Sequence, residues 1–249
     1  MEYETITGRY YSLWLGTDLA SLWPGEVRCV YSQERNRAQF GYAAPFDALI
    51  FTWGDRAVLS YGDRAAPKAR LLAAQIGACF EIGGIAHAAA QIYGTQPECG
   101  VKFAYRGAER TFAQAQALQA ADYPLFLDFY KQRAARPEAC GWDWLEPYFH
   151  QHAADGFFCA VLEHGRIASC TDAPGMPYMA DSVQEVGIFT LPAFRGRGYA
   201  ARACAAAVQN ILRSGRRPQW STALGNAASR RLAARVGFVP FADTCMLTL

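Results

Sequence analysis

Apolar and polar residues follow one another along the chain in short blocks whose period changes, and those changes mark out its elements. Residues 48–53 and 57–61 are apolar blocks joined across Gly54-Asp55-Arg56, whose Gly and Asp content predicts a β-hairpin. Residues 66–93 are rich in small side chains and predict a helix interrupted near Gly83-Gly84. Residues 113–118 suit a strand. Over 121–133, Leu125, Phe126, Phe129 and Tyr130 recur at helical spacing, Pro137 ends that unit, and 142–151 predicts a second, shorter helix. Residues 157–162 and 167–171 form a hairpin about His164-Gly165. A loop rich in Pro, Gly and Met, 172–180, then leads to a longer strand at 183–191. Cys204, Val208, Ile211 and Leu212 share one face of a helix at 198–213. A strand at 220–223, a helix at 226–236 and two strands within 238–249 complete the reading. Strands that flank and alternate with helices make this an α/β chain.

Composition narrows the class. At 249 residues, one large or two modest domains are expected, and 52% apolar against 18% charged residues is the balance of a globular protein with a sizeable core. No apolar run reaches the ~18–20 residues of a membrane span, and Glu2 and Glu4 precede any apolar stretch, so neither an anchor nor a secretory leader is expected. The eight cysteines are scattered without a C-x-x-C pair. Free thiols in a reducing cytoplasm are the simplest reading, with a disulfide set as the alternative. No metal site is expected: His150 and His152 are two apart on a helix and point to different faces. His87 sits in an alanine-rich helix. Trp142 and Trp144 suit a core or a cleft wall better than a nucleic-acid platform.

Charge changes the picture more. The formal net charge is only +2, yet residues 186–242 contain no Asp, Glu or Lys while arginines occupy 195, 197, 202, 213, 216, 217, 230, 231 and 235. A solvated helix face usually mixes signs; an acid-free basic segment suggests an anionic partner.

That segment begins where the strand at 183–191 passes through Pro192-Ala193-Phe194 into Arg195-Gly196-Arg197-Gly198 and then a helix. A helix start offers unpaired N–H groups and a positive dipole end, both suited to phosphate, and two glycines let an anion approach the backbone. The loop is neither a P-loop nor the G-x-G-x-x-G dinucleotide fingerprint. Arginine-glycine segments that bind nucleic acid are usually repeated and disordered rather than packed between strand and helix, so nucleic acid is not the expected partner.

Arg195-Gly196-Arg197-Gly198-Tyr199-Ala200 resembles the [QR]-x-x-G-x-[GA] motif of the GNAT acetyltransferases at every specified position. Asn226-Ala227-Ala228-Ser229-Arg230-Arg231-Leu232, closing in Val236-Gly237-Phe238, resembles that family's second motif. The resemblance covers roughly residues 111–249. It implies the acyl-CoA N-acyltransferase fold, a mixed and mostly antiparallel sheet flanked by helices. A smaller α/β domain of unknown role at 1–110 would precede it and shape the acceptor site or a homodimer contact.

The resemblance also assigns roles. Acetyl-CoA would be the co-substrate, with no metal. Its pantetheine arm would pair with Ile188, Phe189 and Thr190; the N–H groups of Arg195, Gly196, Arg197, Gly198, Tyr199 and Ala200 would hold the pyrophosphate; Asn226 and Ser229 would touch the arm. The plainer reading of Asn226 is a helix cap, and the two roles can hold together. Glu185 is expected as the base that neutralises the attacking amine, and Gly187 as the residue that splays the strand and exposes N–H groups. Where the family often has a tyrosine acid, this chain has Ala233, which leaves water or a residue such as Tyr178 as proton donor. The implied function is acetyl transfer to a primary amine, on a small molecule or peptide, by direct attack in a ternary complex. A non-catalytic acyl-CoA sensor is the alternative.

Overall fold

A computed structural model describes residues 2–38, 44–107 and 112–249. Before residue 108 lie α1 (Glu2–Leu15), β1 (Val27–Tyr31), the hairpin β2 (Ala48–Trp53) and β3 (Arg56–Tyr61), α2 (Ala66–Ala78), α3 (Ile82–Tyr93) and β4 (Glu98–Tyr105). After it come β5 (Gln116–Ala117), α4 (Tyr123–Arg133), α5 (Leu145–Ala154), β6 (Cys159–Glu163) and β7 (Arg166–Asp172). Then follow β8 (Val183–Glu185), β9 (Gly187–Thr190), α6 (Tyr199–Arg213), β10 (Arg217–Ala223), α7 (Ala227–Arg235) and β11 (Phe238–Leu247).

Two sheets result. A seven-stranded one runs β1-β3-β2-β11-β4-β10-β8, antiparallel except at β1-β3 and β10-β8, and a four-stranded one runs β5-β6-β7-β9. The first explains why 48–53 and 57–61 read as continuous apolar blocks rather than alternating ones. Ala48, Leu49, Ile50, Phe51, Val58 and Leu59 are all fully buried, because helices cover both faces of these inner strands. One face packs on α1, the other on α2 and α3. A third cluster, built on Phe126, Phe149, Phe158, Val208 and Trp220, joins α4, α5 and α6 to the strands after residue 111, and Val101, Phe103 and Tyr105 of β4 belong to it.

Several local expectations change. The long helix at 66–93 breaks at Cys79–Glu81, not at the glycines, which lie in the first turn of α3; a Cβ on Gly84 would stand 3.0 Å from the Cys79 sulfur, so glycine lets the two helices close up. Residues 238–249, expected as two strands, form the single β11, with an irregularity between Pro240 and Ala242 that swings Phe241 against Tyr11 and Phe51. The domain boundary expected at 110/111 lies outside the described residues. Strands from both sides of it share the large sheet: β4 is hydrogen-bonded to β10 on one edge and to β11 on the other. Among the described residues no helix is long and apolar enough to cross a membrane.

Cys99 and Cys245 face each other across β4 and β11 and are joined by a disulfide, while Cys29, Cys79, Cys140, Cys159, Cys170 and Cys204 are free. The protein unfolded without reductant should therefore titrate six thiols, and eight after reduction. Eight in both conditions would exclude the cross-link.

Candidate active site

Strand β8 ends at Glu185 and β9 begins at Gly187, and between them the chain changes sheets. Val183, Gln184 and Glu185 pair in parallel with Arg217, Pro218 and Gln219, and the Val186 N–H still donates to the Gln219 carbonyl at 3.0 Å. From Gly187 onward the partner is β7, with Gly187 opposite Asp172 and Thr190 opposite Ser169. A Cβ on Gly187 would lie 2.7 Å from the Asp172 Cβ, so the crossing admits only glycine. The strand expected at 183–191 is thus divided at Val186, and a cleft opens between β9 and β10.

β9 presents a free edge to that cleft. The Leu191 N–H donates to the Ala168 carbonyl at 3.0 Å, and antiparallel alternation then bonds Phe189 and Gly187 to β7 and turns the backbone groups of Ile188 and Thr190 the other way, where the small sheet ends. The Thr190 carbonyl receives the Arg195 Nε at 3.3 Å.

The loop after β9 is built as the sequence suggested. Gly196 and Gly198 hold φ of +79° and +78°, and no atom lies within 4 Å of a Cβ built on either, so conformation and an open approach, not crowding, select glycine. Gly198 caps α6 without a side-chain bond, and the first helical bond runs from Arg202 N–H to the Gly198 carbonyl. The N–H groups of the first turn, Tyr199 and Ala200 included, lack helical partners and point outward. Glu163 fixes one side of the loop through the Tyr199 hydroxyl and, at 3.5 Å, Arg197.

Because β8 and β10 run parallel and β9 continues β8, the starts of α6 and α7 lie at the same end of the cleft. Asn226 caps α7, its Oδ1 accepting from the Ser229 N–H at 3.0 Å, while the Ser229 hydroxyl accepts from the Trp220 indole at 3.1 Å. The arginines divide in use. Arg195 and Arg197 stand exposed on the loop; Arg216 pairs with Asp155 at 3.2 Å, and Arg202 and Arg230 donate to carbonyls of Gln114 and Leu224.

At the other end, where the strands part, lies a cavity of about 780 Å³. Its walls are aromatic: Tyr10, Tyr11 and Trp14 from α1 on one side, Tyr130 of α4, Trp144 just before α5 and Tyr148 of α5 on the other. Two carboxylates reach it. Glu185 accepts a hydrogen bond from the Ser221 hydroxyl. Asp172 accepts from Tyr130 at 2.8 Å, from Tyr148, and from Arg133 at 3.0 Å. Burial first, and then the Asp172 charge, push both tyrosine hydroxyls well above the ordinary phenol range, so they remain protonated donors. Tyr178 does not line the cavity; its ring packs edge-on against Tyr10 at 6.3 Å. Ala233 is fully buried.

Sequence reasoning missed Lys102. It lies in β4 directly opposite Ser221, lines the cavity, and holds its ammonium 5.1 Å from the Trp14 ring centre. Burial pushes its amine below the ordinary lysine value, against the pull of Glu185. A lysine among Val101, Phe103 and Ala104 was the one available signal.

The acetyltransferase (GNAT) domain family matches residues 110–239, more than half of the chain. Among solved structures, a GCN5-related N-acetyltransferase from Sphaerobacter thermophilus superposes with a TM-score of 0.51 at 15% identity, over 65% of this chain and 55% of that one. A GNAT-family acetyltransferase from Colwellia psychrerythraea gives 0.49 at 13% identity, over 61% and 56%. A Salmonella typhimurium protein assigned as an acetyltransferase and solved with its cofactor acetyl-CoA gives 0.42 at 17%, over 55% and 92%. The aligned part thus spans little more than half the length of the Sphaerobacter and Colwellia proteins. No curated protein matches in sequence. With the family match spanning the parted strands, the glycine loop and the asparagine-capped helix, the chain belongs to the GNAT acetyltransferases.

Proposed function

We propose that the protein transfers an acetyl group from acetyl-CoA to a primary amine by direct attack in a ternary complex. The observation that carries this reading is the division of the strand at Val186, which opens one cleft with a glycine loop and helix start at one end and a carboxylate-bearing cavity at the other. The residues fit the co-substrate: the outer edge of β9 at Ile188 and the Thr190 N–H suits the amides of a pantetheine arm, and the first-turn N–H groups from Tyr199 suit a pyrophosphate. Acetyl-CoA would supply an acyl group already activated as a thioester.

The chain's own part is to bring a neutral amine to it. An ammonium group entering the aromatic cavity is attracted by Glu185, gives up a proton to that carboxylate directly or through water, and is then free to attack. Ser221 holds Glu185 in place. Tyr178, considered as proton donor, lies behind the wall, so the thiol proton is assigned to water. Positioning and desolvation by the walls would supply much of the acceleration.

A panel of primary amines assayed for free CoA tests the reading, and turnover no higher than background with every amine sinks it. Calorimetry beside that assay separates a sensor, which would bind acetyl-CoA without turnover. The loop has its own test. In Gly198→Val a β-branched residue would have to hold φ near +78°, at a cost on the order of 1–2 kcal/mol, and would crowd the anion. Affinity for acetyl-CoA should fall about ten-fold or more; an affinity within two-fold of the parent would detach the loop from coenzyme binding.

A further inference from the structure

Lys102 is an anomaly that acetyl transfer to a simple amine does not explain. A cation inside a cavity meant for an ammonium group repels it, and a buried lysine is costly without a partner. Yet Lys102 is only 7% exposed, and among the described residues its ammonium makes no hydrogen bond and no ion pair. Its neighbours are the Trp14 ring and, at longer range, Glu185, whose carboxylate is taken up by Ser221. Arg35, fully buried, lies 5.9 Å from the same ring and gives one N–H to the Trp14 carbonyl at 2.7 Å, so a second cation backs this wall. The coenzyme's phosphates do not account for Lys102. They would be met by the loop beyond Thr190, and the four residues of β9 between put that loop roughly 13 Å away.

The row Glu185, Ser221, Lys102 crosses three adjacent strands, β8, β10 and β4, on one face of the sheet. It therefore presents, in order, a carboxylate, a hydroxyl and an ammonium to the same cavity, under aromatic walls. An occupant complementary to that row carries its own amine at the Glu185 end and an anion at the Lys102 end, with an apolar body between the rings.

We infer that the acceptor is an amine that also bears a carboxylate, an amino acid or the like, and that Lys102 binds that carboxylate. The inference rests on the acetyltransferase reading but makes a separate claim about recognition. It assigns to a strand preceding the family-matched segment the choice of acceptor, since β4 lies before residue 110.

Matched pairs that differ only in the carboxylate test it: phenylalanine and 2-phenylethylamine, tryptophan and tryptamine, lysine and cadaverine. Each pair is compared by kcat/KM with acetyl-CoA, and by calorimetric titration into the protein saturated with CoA. A charge-assisted contact predicts that the carboxylated member of at least one pair is preferred by about ten-fold or more, chiefly through KM. In Lys102→Met, or in Lys102→Gln where the first does not fold, that ratio should collapse to within about two-fold. Because the readout is a ratio within one variant, general damage does not imitate it. A parent protein that favours the decarboxylated members, or a ratio that survives both substitutions, overturns the role of Lys102. Carboxylate-dependent binding without turnover by any amine leaves that role standing and sinks the transferase reading instead; no binding and no turnover sinks both.

Discussion

A chain beginning at residue 110 should fail to fold, although it contains the whole segment matched by the family. The missing part includes β4, which lies between β10 and β11 with ladders on both edges, and without it two strands lose their common neighbour. Val101, Phe103 and Tyr105 leave the core shared with α6 and Trp220. At roughly 1.5–3 kcal/mol for each large buried side chain, their loss alone approaches the ~5–15 kcal/mol net stability of a domain, before the two exposed strand edges are counted. The expected result is insoluble material, or a soluble chain with no cooperative thermal transition. A truncated protein that melts cooperatively and still binds acetyl-CoA would refute this account of the sheet.

Replacing Glu185 by Gln should leave affinity for acetyl-CoA nearly intact and lower kcat/KM for the amine by about 100-fold at neutral pH, the lower end of what a positioned base contributes. Glutamine keeps an oxygen for the Ser221 hydroxyl, so the wall is preserved and the proton acceptor removed. The sign of the pH effect follows from the substrate. Below the amine's own pKa it arrives as ammonium and needs the base; above it the amine arrives neutral. The deficit should therefore shrink as pH rises through that pKa. A Glu185→Gln variant within three-fold of the parent at every pH would remove Glu185 from catalysis.

What could be read from the sequence follows the range of the physics involved. The loop was legible because positive φ at Gly196 and Gly198 and a helix start at Tyr199 are encoded within a few residues. Gly187 was legible as a place where the strand departs from its partner, but not the reason, which is the Cβ of Asp172, fifteen positions earlier and across a ladder. Asn226 reads the same way in sequence and structure because a cap is local. Lys102 was not legible. Its meaning depends on Ser221 of β10 and Trp14 of α1, and no spacing rule joins positions so far apart. The strands β1 and β4 and the helix α1 escaped for a related reason: α1 has a weakly contrasted polar face, and β4 is specified by neighbours that follow it by more than a hundred residues.

That interleaving also sets an order of events during synthesis. β4 leaves the ribosome long before β10 and β11 exist, and β2 must wait for β11, which lies far along the chain from it. The early elements can gather around the β2-β3 hairpin, but the edges of β2 and β4 that β11 will occupy remain open until β11 itself has been made. Closing such distant pairs costs loop entropy before any contact repays it, so the protein should fold slowly, in one late step that completes sheet and cavity together.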